Sequence, residues 1–324
     1  MPRLRRAATA LVPMLLIAAL AACGGTKYGY GDTTVSGFDG VKVTGAVGKK
    51  PTLDFKDAIA YPSSTSVKKL VAGKGPALSK DGKGVMADIY VGDGSTKKDT
   101  WAYASAQPEA ISASTGPIFS KLLDGARVGD RVAAITTSVN VFGSNGAPQF
   151  DIGNHDAILV VMDILADATP KNVPASQLPK LKQSGGEPSG FDFSGVAKPD
   201  PHGRLLRSVL KQGKGKTVTS DMTVTANYLG ETYGATKPFD ESYSKKPVPF
   251  PLTQVVPGWT NGLEGLKVGS RVLLQIPPVL GYGSKAQPAR DKAHAGIPAN
   301  STLYFVIDII SAKKTPSSSA SGGQ

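Results

Sequence analysis

Between Met222 and Tyr228 the apolar side chains fall on every second residue, Met222, Val224, Ala226 and Tyr228, with small or polar residues between them. A period of two puts one set of side chains on one face of an extended chain, which predicts a half-buried strand. Arg271 to Ile276 and Thr302 to Ile310 are apolar or β-branched runs bounded by turn residues, and they predict two more. One short helix is predicted to begin near Pro257, where a missing N–H costs nothing, and to stop around Gly265. Strands around a single short helix make an α+β domain.

The pattern occurs twice. Leu123-Asp124-Gly125-Ala126-Arg127-Val128-Gly129-Asp130-Arg131-Val132 matches Leu263-Glu264-Gly265-Leu266-Lys267-Val268-Gly269-Ser270-Arg271-Val272 at an offset of 140. Ile89-Tyr90-Val91-Gly92 falls on Asn227-Tyr228-Leu229-Gly230 at an offset of 138, and Ile158 to Leu165 parallels Leu303 to Ile310. Three blocks in one order at nearly constant offsets indicate two homologous domains in tandem. Between them, Pro170, Pro174, Pro179, Pro188 and Pro199 interrupt any long helix and mark a border region.

The start of the chain bears on location. Arg3, Arg5 and Arg6 precede an apolar stretch, Leu11 to Leu20, that is too short to span a bilayer stably, and small residues follow, as in an export signal. Leu20-Ala21-Ala22-Cys23 resembles the bacterial lipobox, which implies acylation of Cys23, cleavage before it, and a protein lipid-anchored to the bacterial membrane on its extracytoplasmic side. Cys23 is the only cysteine, so no internal disulfide can form and each domain relies on its apolar core. The expected organisation is a lipoprotein signal peptide at 1–22 and a flexible tether at 23–33. A degenerate domain at 34–168 follows, then a linker and lead-in strand region at 169–203, an active domain at 204–313 and a disordered tail at 314–324.

The formal charge of +12 would lose three arginines with the signal, and the remainder is scattered as single lysines or pairs. Such a field suits anionic headgroups or cell-wall polymers, or is simply a solvated lysine-rich surface. No basic stripe with interleaved aromatics is present, so nucleic acid is not an expected partner. His155, His202 and His294 have no second ligand at helical or hairpin spacing, so no metal is expected. Gly215-Lys216-Thr217 lacks the glycine a phosphate loop needs, since position 210 is Leu210, and no Gly-x-Ser-x-Gly elbow occurs.

The second half carries the chemistry. Tyr228-Leu229-Gly230, Phe239-Asp240, Phe250-Pro251-Leu252 and Val255-Val256-Pro257-Gly258-Trp259 follow one another in order. Gly262-Leu263-Glu264-Gly265, Val268-Gly269, Ile276-Pro277-Pro278, Gly281-Tyr282-Gly283, Ile297-Pro298 and Leu303-Tyr304-Phe305 complete the set. This series closely resembles the FKBP-type peptidyl-prolyl cis/trans isomerases. The resemblance implies an antiparallel sheet curled around the short helix, with an apolar pocket between them and no cofactor. The pocket would be lined by Tyr228, Phe239, Asp240, Val255, Val256, Trp259, Tyr282, Ile297 and Phe305, with Trp259 as its floor. It further implies catalytic roles for Asp240, Tyr282 and Trp259, and a substrate-binding role for the rest. The Tyr282 hydroxyl and the Ile297 N–H would hold substrate carbonyls. Expected partners are proline-containing exported polypeptides and, as inhibitors, macrolides. One departure from the smallest family members is the long loop from Gly283 to Gly296, which would overhang the pocket.

Rotation about an Xaa-Pro bond is slow because resonance gives the C–N bond double-bond character, with a barrier of about 20 kcal/mol. A dry aromatic pocket that grips the prolyl ring can spend binding energy on the twist without a nucleophile. The same scaffold could instead hold proline segments as a chaperone or act as an envelope adaptor without turnover.

In the first half, Tyr90 stands for Tyr228 and Ile152 for Ile297. Trp101 stands for Phe239, Ala102 for Asp240, Thr115 and Gly116 for Val255 and Val256, Phe119 for Trp259, Phe142 for Tyr282 and Val160 for Phe305. The framework residues Gly125, Val128, Gly129, Val132 and Gly143 are retained. This half is expected to keep the fold and to lack the isomerase site.

Overall fold

Met222–Thr232, predicted from its alternation, pairs antiparallel along its whole length with Leu303–Lys314. The computed structural model describes residues 34–79, 84–102, 109–111 and 116–315, and the chain divides into two units between Asp167 and Ala168. In the second unit the sheet runs Lys171–Asn172, Leu206–Lys211, Arg271–Ile276, Leu303–Lys314, Met222–Thr232, Asp240–Glu241. Val248–Pro251 pairs with the other end of Met222–Thr232. All pairings are antiparallel except the short first one.

The predicted helix is Pro257–Leu263, with proline in its first turn. Gly258 and Gly262 let its backbone lie directly on the sheet. A Cβ at Gly258 would come within 2.3 Å of Ile276, and one at Gly262 within 2.7 Å of Leu274. Both long strands run past their predicted ends. From Tyr228 to Thr232 every residue is buried, so alternation gives way to a stretch covered on both faces.

The first unit has the same strand order: Ser66–Val71, Arg131–Thr137, Ala157–Asp167, Val85–Asp93, Lys98–Ala102, with Glu109–Ile111 also on Val85–Asp93. Even the irregularities recur. A bulge interrupts the pairing at Lys69/Val71 and again at Val209/Lys211. Another occurs at Ile164/Ala166, where its counterpart is the break at Thr225/Ala226 opposite Ile309 and Ser311. Gly129 N–H donates to Ile164 O and Gly269 N–H to Ile309 O, both at 2.7 Å. Arg131 clamps Asp163 and Arg271 clamps Asp308 through paired 2.6–2.7 Å bonds. Shared order, register and bulges make the chain a tandem of two α+β domains of one topology.

Two expectations need correction. The 169–203 stretch is more than a linker and lead-in strand region: Lys171–Asn172 joins the edge of the sheet. It folds onto the second unit as a hairpin, Lys180–Ser184 with Glu187–Asp192. Val173, Leu178 and Phe191 pack there with Leu229, Leu273, Tyr304 and Val306 on the outer face of the sheet. Burying these side chains is what makes a proline-rich stretch part of a domain. The hairpin Val41–Thr44 with Thr52–Phe55 does the same in the first unit, with Val41, Leu53 and Phe55 against Tyr90, Ala133 and Leu159. The repeat therefore begins well before its matching sequence blocks.

The second correction is one of register. Met162 faces Ile89 and Asp163 faces Asp88, whereas Ile307 faces Tyr228 and Asp308 faces Asn227. With Asp163 and Asp308 fixed as equivalents by their arginines, Ile89 stands at the position of Tyr228, and Tyr90 at that of Leu229. A slip of one residue turns a side chain to the opposite face of a sheet. Tyr90 accordingly lies in the outer cluster with the hairpin, not in a pocket.

The proposed leader, Cys23, the tether and the tail from 316 lie outside the described residues. Among the described residues no helix is long and apolar enough to cross a membrane.

Candidate active site

Strand alternation points Tyr228 inward, under the sheet, where it meets the helix. There Trp259, fully buried, is met edge-on by Tyr228, Phe250 and Phe305, with ring centroids 5.5, 5.1 and 5.3 Å away. Phe239 meets Phe305 in the same way at 5.5 Å. Edge-to-face contacts suit the ring quadrupoles and fix the rings against one another. Gly230 makes this possible, because a Cβ there would lie 2.5 Å from Phe239 and 2.6 Å from Phe305. The Trp259 Nε1–H is buried without a hydrogen-bond partner among the described residues.

Asp240 lies beside this box with little exposure. The Tyr228 hydroxyl donates to its Oδ2 at 2.7 Å, and the Glu241 N–H donates to its Oδ1 at 3.1 Å. Burial first, and then the Asp240 charge, push the Tyr228 phenol well above its ordinary value, so it remains a donor. Arg290 Nη1 donates to Asp240 Oδ1 at 2.9 Å.

A cleft opens over these groups, lined by Phe239, Asp240, Tyr282 and Ile297 together with Gln287, Pro288, Arg290 and Ala295. Of the nine residues expected at the pocket, four thus line the cleft, and Tyr228, Trp259 and Phe305 form the aromatic box linked to Phe239. Val255 and Val256 are buried at the start of the helix and are not among the residues lining the cleft.

The expectation for the Ile297 amide fails. Its N–H donates to Gln287 O at 2.8 Å, and the Gln287 N–H returns a bond to Ile297 O at 2.7 Å. This amide is already committed to closing the 283–296 loop. Val256 offers a different donor: its carbonyl accepts from the Trp259 and Thr260 amides, while its own N–H donates to no acceptor among the described residues. Arg290 and His294 were not anticipated. The loop was recognisable in the sequence as a departure from the family, but nothing in it tied a particular cation to Asp240.

In the first unit the corresponding positions are core. Ile89, Val91, Phe119, Phe142, Ile152 and Val160 belong to one buried cluster. Val91 pairs with Trp101 as Gly230 pairs with Asp240. It is therefore Trp101, not Ala102, that stands at the strand position of Asp240, and Ala102 stands at that of Glu241. Either alignment leaves no carboxylate there. Thr115 lies outside the described residues. No group of three or more His, Cys, Asp or Glu side chains that could hold a metal occurs among the described residues.

Residues 214–310 match the model of the FKBP-type peptidyl-prolyl cis-trans isomerase family. This segment is an FKBP-type domain. The chain is 39% identical over 117 residues to the FKBP-type peptidyl-prolyl cis-trans isomerase FkpA of Escherichia coli K12, covering 36% of this chain and 40% of that protein. It is 42% identical over 107 residues to the probable FkpA of Neisseria meningitidis serogroup B, covering 33% and 37%. The crystal structure of FkpA from Escherichia coli aligns at 39% identity and a TM-score of 0.30, over 35% of this chain and 49% of that one. The chain thus spans well under half of the length of these curated relatives.

Proposed function

We propose that the second unit catalyses cis/trans isomerisation of Xaa-Pro bonds in exported polypeptides, with an apolar residue before proline preferred. The observation that carries this reading is the closed set of aromatic edges around Trp259 with a single carboxylate, Asp240, held at its side. A prolyl ring seated on Trp259, Phe239 and Phe305 would leave water. The planar amide, with its large dipole, is disfavoured by such surroundings more than the twisted one, whose carbonyl no longer shares charge with nitrogen. Asp240 supplies a negative field near the twisting bond, oriented by Tyr228. Tyr282 holds one substrate carbonyl. For the second we assign the Val256 N–H, which has no acceptor of its own, in place of that of Ile297. Macrolide inhibitors of the family would occupy the same box.

The reading extends to location. The Leu20-Ala21-Ala22-Cys23 sequence after a basic and apolar leader supports acylation at Cys23, with both units displayed outside the cytoplasmic membrane. If Cys23→Ala left the mass of the mature N-terminus and the membrane fractionation unchanged, that assignment would be wrong.

A protease-coupled assay on a short Xaa-Pro peptide tests the chemistry. Turnover by the full chain is expected to disappear in the Asp240→Ala, Trp259→Ala double variant. Undiminished turnover in that variant would sink the mechanism.

A further inference from the structure

The second unit has another recess, on the face of the sheet opposite the cleft. Here the tip of the outer hairpin leaves a groove of about 380 Å³, with Glu187 and Pro188 on one side and Leu229, Pro238, Glu241 and Tyr243 on the other. Ligand pockets commonly measure about 300–1,000 Å³. Groove and cleft share one strand. Leu229 faces Glu241 and Gly230 faces Asp240 in its pairing, so the two carboxylates point to opposite faces. Asp240 and Phe239 line the cleft, whereas Glu241 and Pro238 line the groove.

Asp240–Glu241 is also the last strand of its sheet. A polypeptide gripped in the cleft can therefore pass round this edge and reach the groove without crossing another strand. A sheet with its side chains is about 10 Å thick, and an extended chain advances about 3.4 Å per residue, so about three residues make the passage.

The lining decides what the groove would hold. Pro188, Leu229, Pro238 and the ring of Tyr243 are apolar, and the only charged side chains among the lining residues are Glu187 and Glu241. Burial works against the charge of Glu241, but the Ser244 amide and hydroxyl, at 2.9 and 2.7 Å, and the Lys245 ammonium outweigh it and hold the carboxyl below its ordinary range. Glu187 stands at the hairpin tip with its side chain 60% exposed. Its ion-pair partner, Arg271, lies 3.9 Å away and is already committed to Asp308 by two bonds of 2.6–2.7 Å, so Glu187 is open to a closer cation. The Tyr243 hydroxyl donates to Asp308 at 3.1 Å, which fixes the ring as a wall. A lysine or arginine side chain suits this lining, with its methylenes along Leu229 and Tyr243 and its charge between the two carboxylates. A glutamate there would meet two like charges.

We propose that this groove is a second subsite for the polypeptide bound in the cleft, and that it takes a basic residue about three positions from the proline. The spacing rests on the isomerase reading, because the cleft must hold the proline, whereas the preference for a cation rests on the groove alone.

Capped peptides with one Leu-Pro bond test this on the full chain, carrying lysine or glutamate about three residues before or after the proline. Turnover is measured without a coupling protease, so that the added charge acts on this protein alone. Lysine on one of the two sides is expected to lower KM about fivefold against glutamate at low salt. The kcat should not change, because the groove does not touch the twisting bond. The Glu187→Gln, Glu241→Gln variant should level the two peptides. Glu187→Lys, a change at an exposed tip, should favour glutamate, and it keeps the test decisive if the double variant does not fold. Equal KM values for lysine and glutamate on both sides, or a lysine preference that survives in these variants, would overturn the subsite. If no peptide is turned over, the isomerase reading falls by itself, and the same peptides with alanine for proline then decide the groove. Lysine peptides that shift the backbone NMR signals of Leu229 and Tyr243, where glutamate peptides do not, support the basic-residue site without the isomerase, and equal effects of the two refute it.

Discussion

At the scale of single residues, Gly230 and Trp259 set the limits of the site. An added Cβ at Gly230 meets two aromatic rings at 2.5–2.6 Å, inside any normal contact. Gly230→Ala should therefore displace Phe239 and cost about 1–3 kcal/mol, measured by urea unfolding, with a matching loss of turnover. Trp259→Ala removes the ring that Tyr228, Phe250 and Phe305 lean on, and should cost about 3–5 kcal/mol. Asp240→Ala is a different kind of change. It takes the acceptor from Tyr228 and from Arg290, and kcat/KM for an Xaa-Pro peptide is expected to fall about tenfold or more, with the fold retained. Tyr282→Phe should lower turnover only modestly, since it removes one hydrogen bond and keeps the ring. If Asp240→Ala proved less harmful than Tyr282→Phe, the carboxylate would have no part in the twist.

At the scale of elements, the hairpin on the outer face of the second unit's sheet covers a group that titrates. Glu231, buried beneath the hairpin, accepts from the Phe191 N–H at 3.3 Å, and Gly190 leaves room for its carboxylate. Burial raises its pKa to about 7. A carboxyl whose folded value lies above its unfolded one binds its proton more tightly when folded. The stability it contributes is fully present below the unfolded value and is lost as pH rises through about 7. Urea unfolding between pH 5 and pH 8 should show a loss on the order of 2 kcal/mol that Glu231→Gln removes. The hairpin itself was not legible in the sequence: its prolines read as a break, and its apolar residues, Val173, Leu178 and Phe191, are too widely spaced to show a period. The strands and the helix were legible, because alternation from Met222 to Tyr228 and a proline before Gly258 are local signals. The register of the first unit was not. Tyr90-x-Gly92 resembles Tyr228-x-Gly230 letter for letter, yet the ladder places Ile89 and Val91 at those positions. The aromatic box was found because its residues carry a family pattern, whereas Arg290 reaches Asp240 from fifty positions away and only a folded loop brings them together.

At the scale of the whole molecule, the two units share a ladder and differ in what fills it. In the second unit Gly230 leaves space that Phe239 and Phe305 use, and Asp240 stands beside them. In the first, Val91 fills the position of Gly230, Val160 replaces the ring of Phe305, and Phe119, Phe142 and Ile152 close into the same core. No carboxylate stands at the position of Asp240, where the ladder places Trp101. What remains common is framework: the Arg131–Asp163 and Arg271–Asp308 clamps, the outer hairpins, and the glycine turns at Gly129 and Gly269. Arg131 in addition donates to the carbonyls of Gly45, Ala46 and Lys49, so the clamp ties the hairpin to the sheet. Removing one partner of such a buried pair strands the other, so Asp163→Ala should cost the first unit about 3–5 kcal/mol. That variant gives the decisive comparison. If the first unit is framework alone, Asp163→Ala should lower its unfolding midpoint and leave turnover by the full chain unchanged, because every group proposed to act on the Xaa-Pro bond lies in the second unit. The Asp240→Ala, Trp259→Ala chain should likewise show no residual turnover that could be credited to the first unit. Residual turnover in the double variant that vanished on adding Asp163→Ala would mean that the packed core around Val91 and Phe119 opens to substrate, and the first unit would then be a second isomerase.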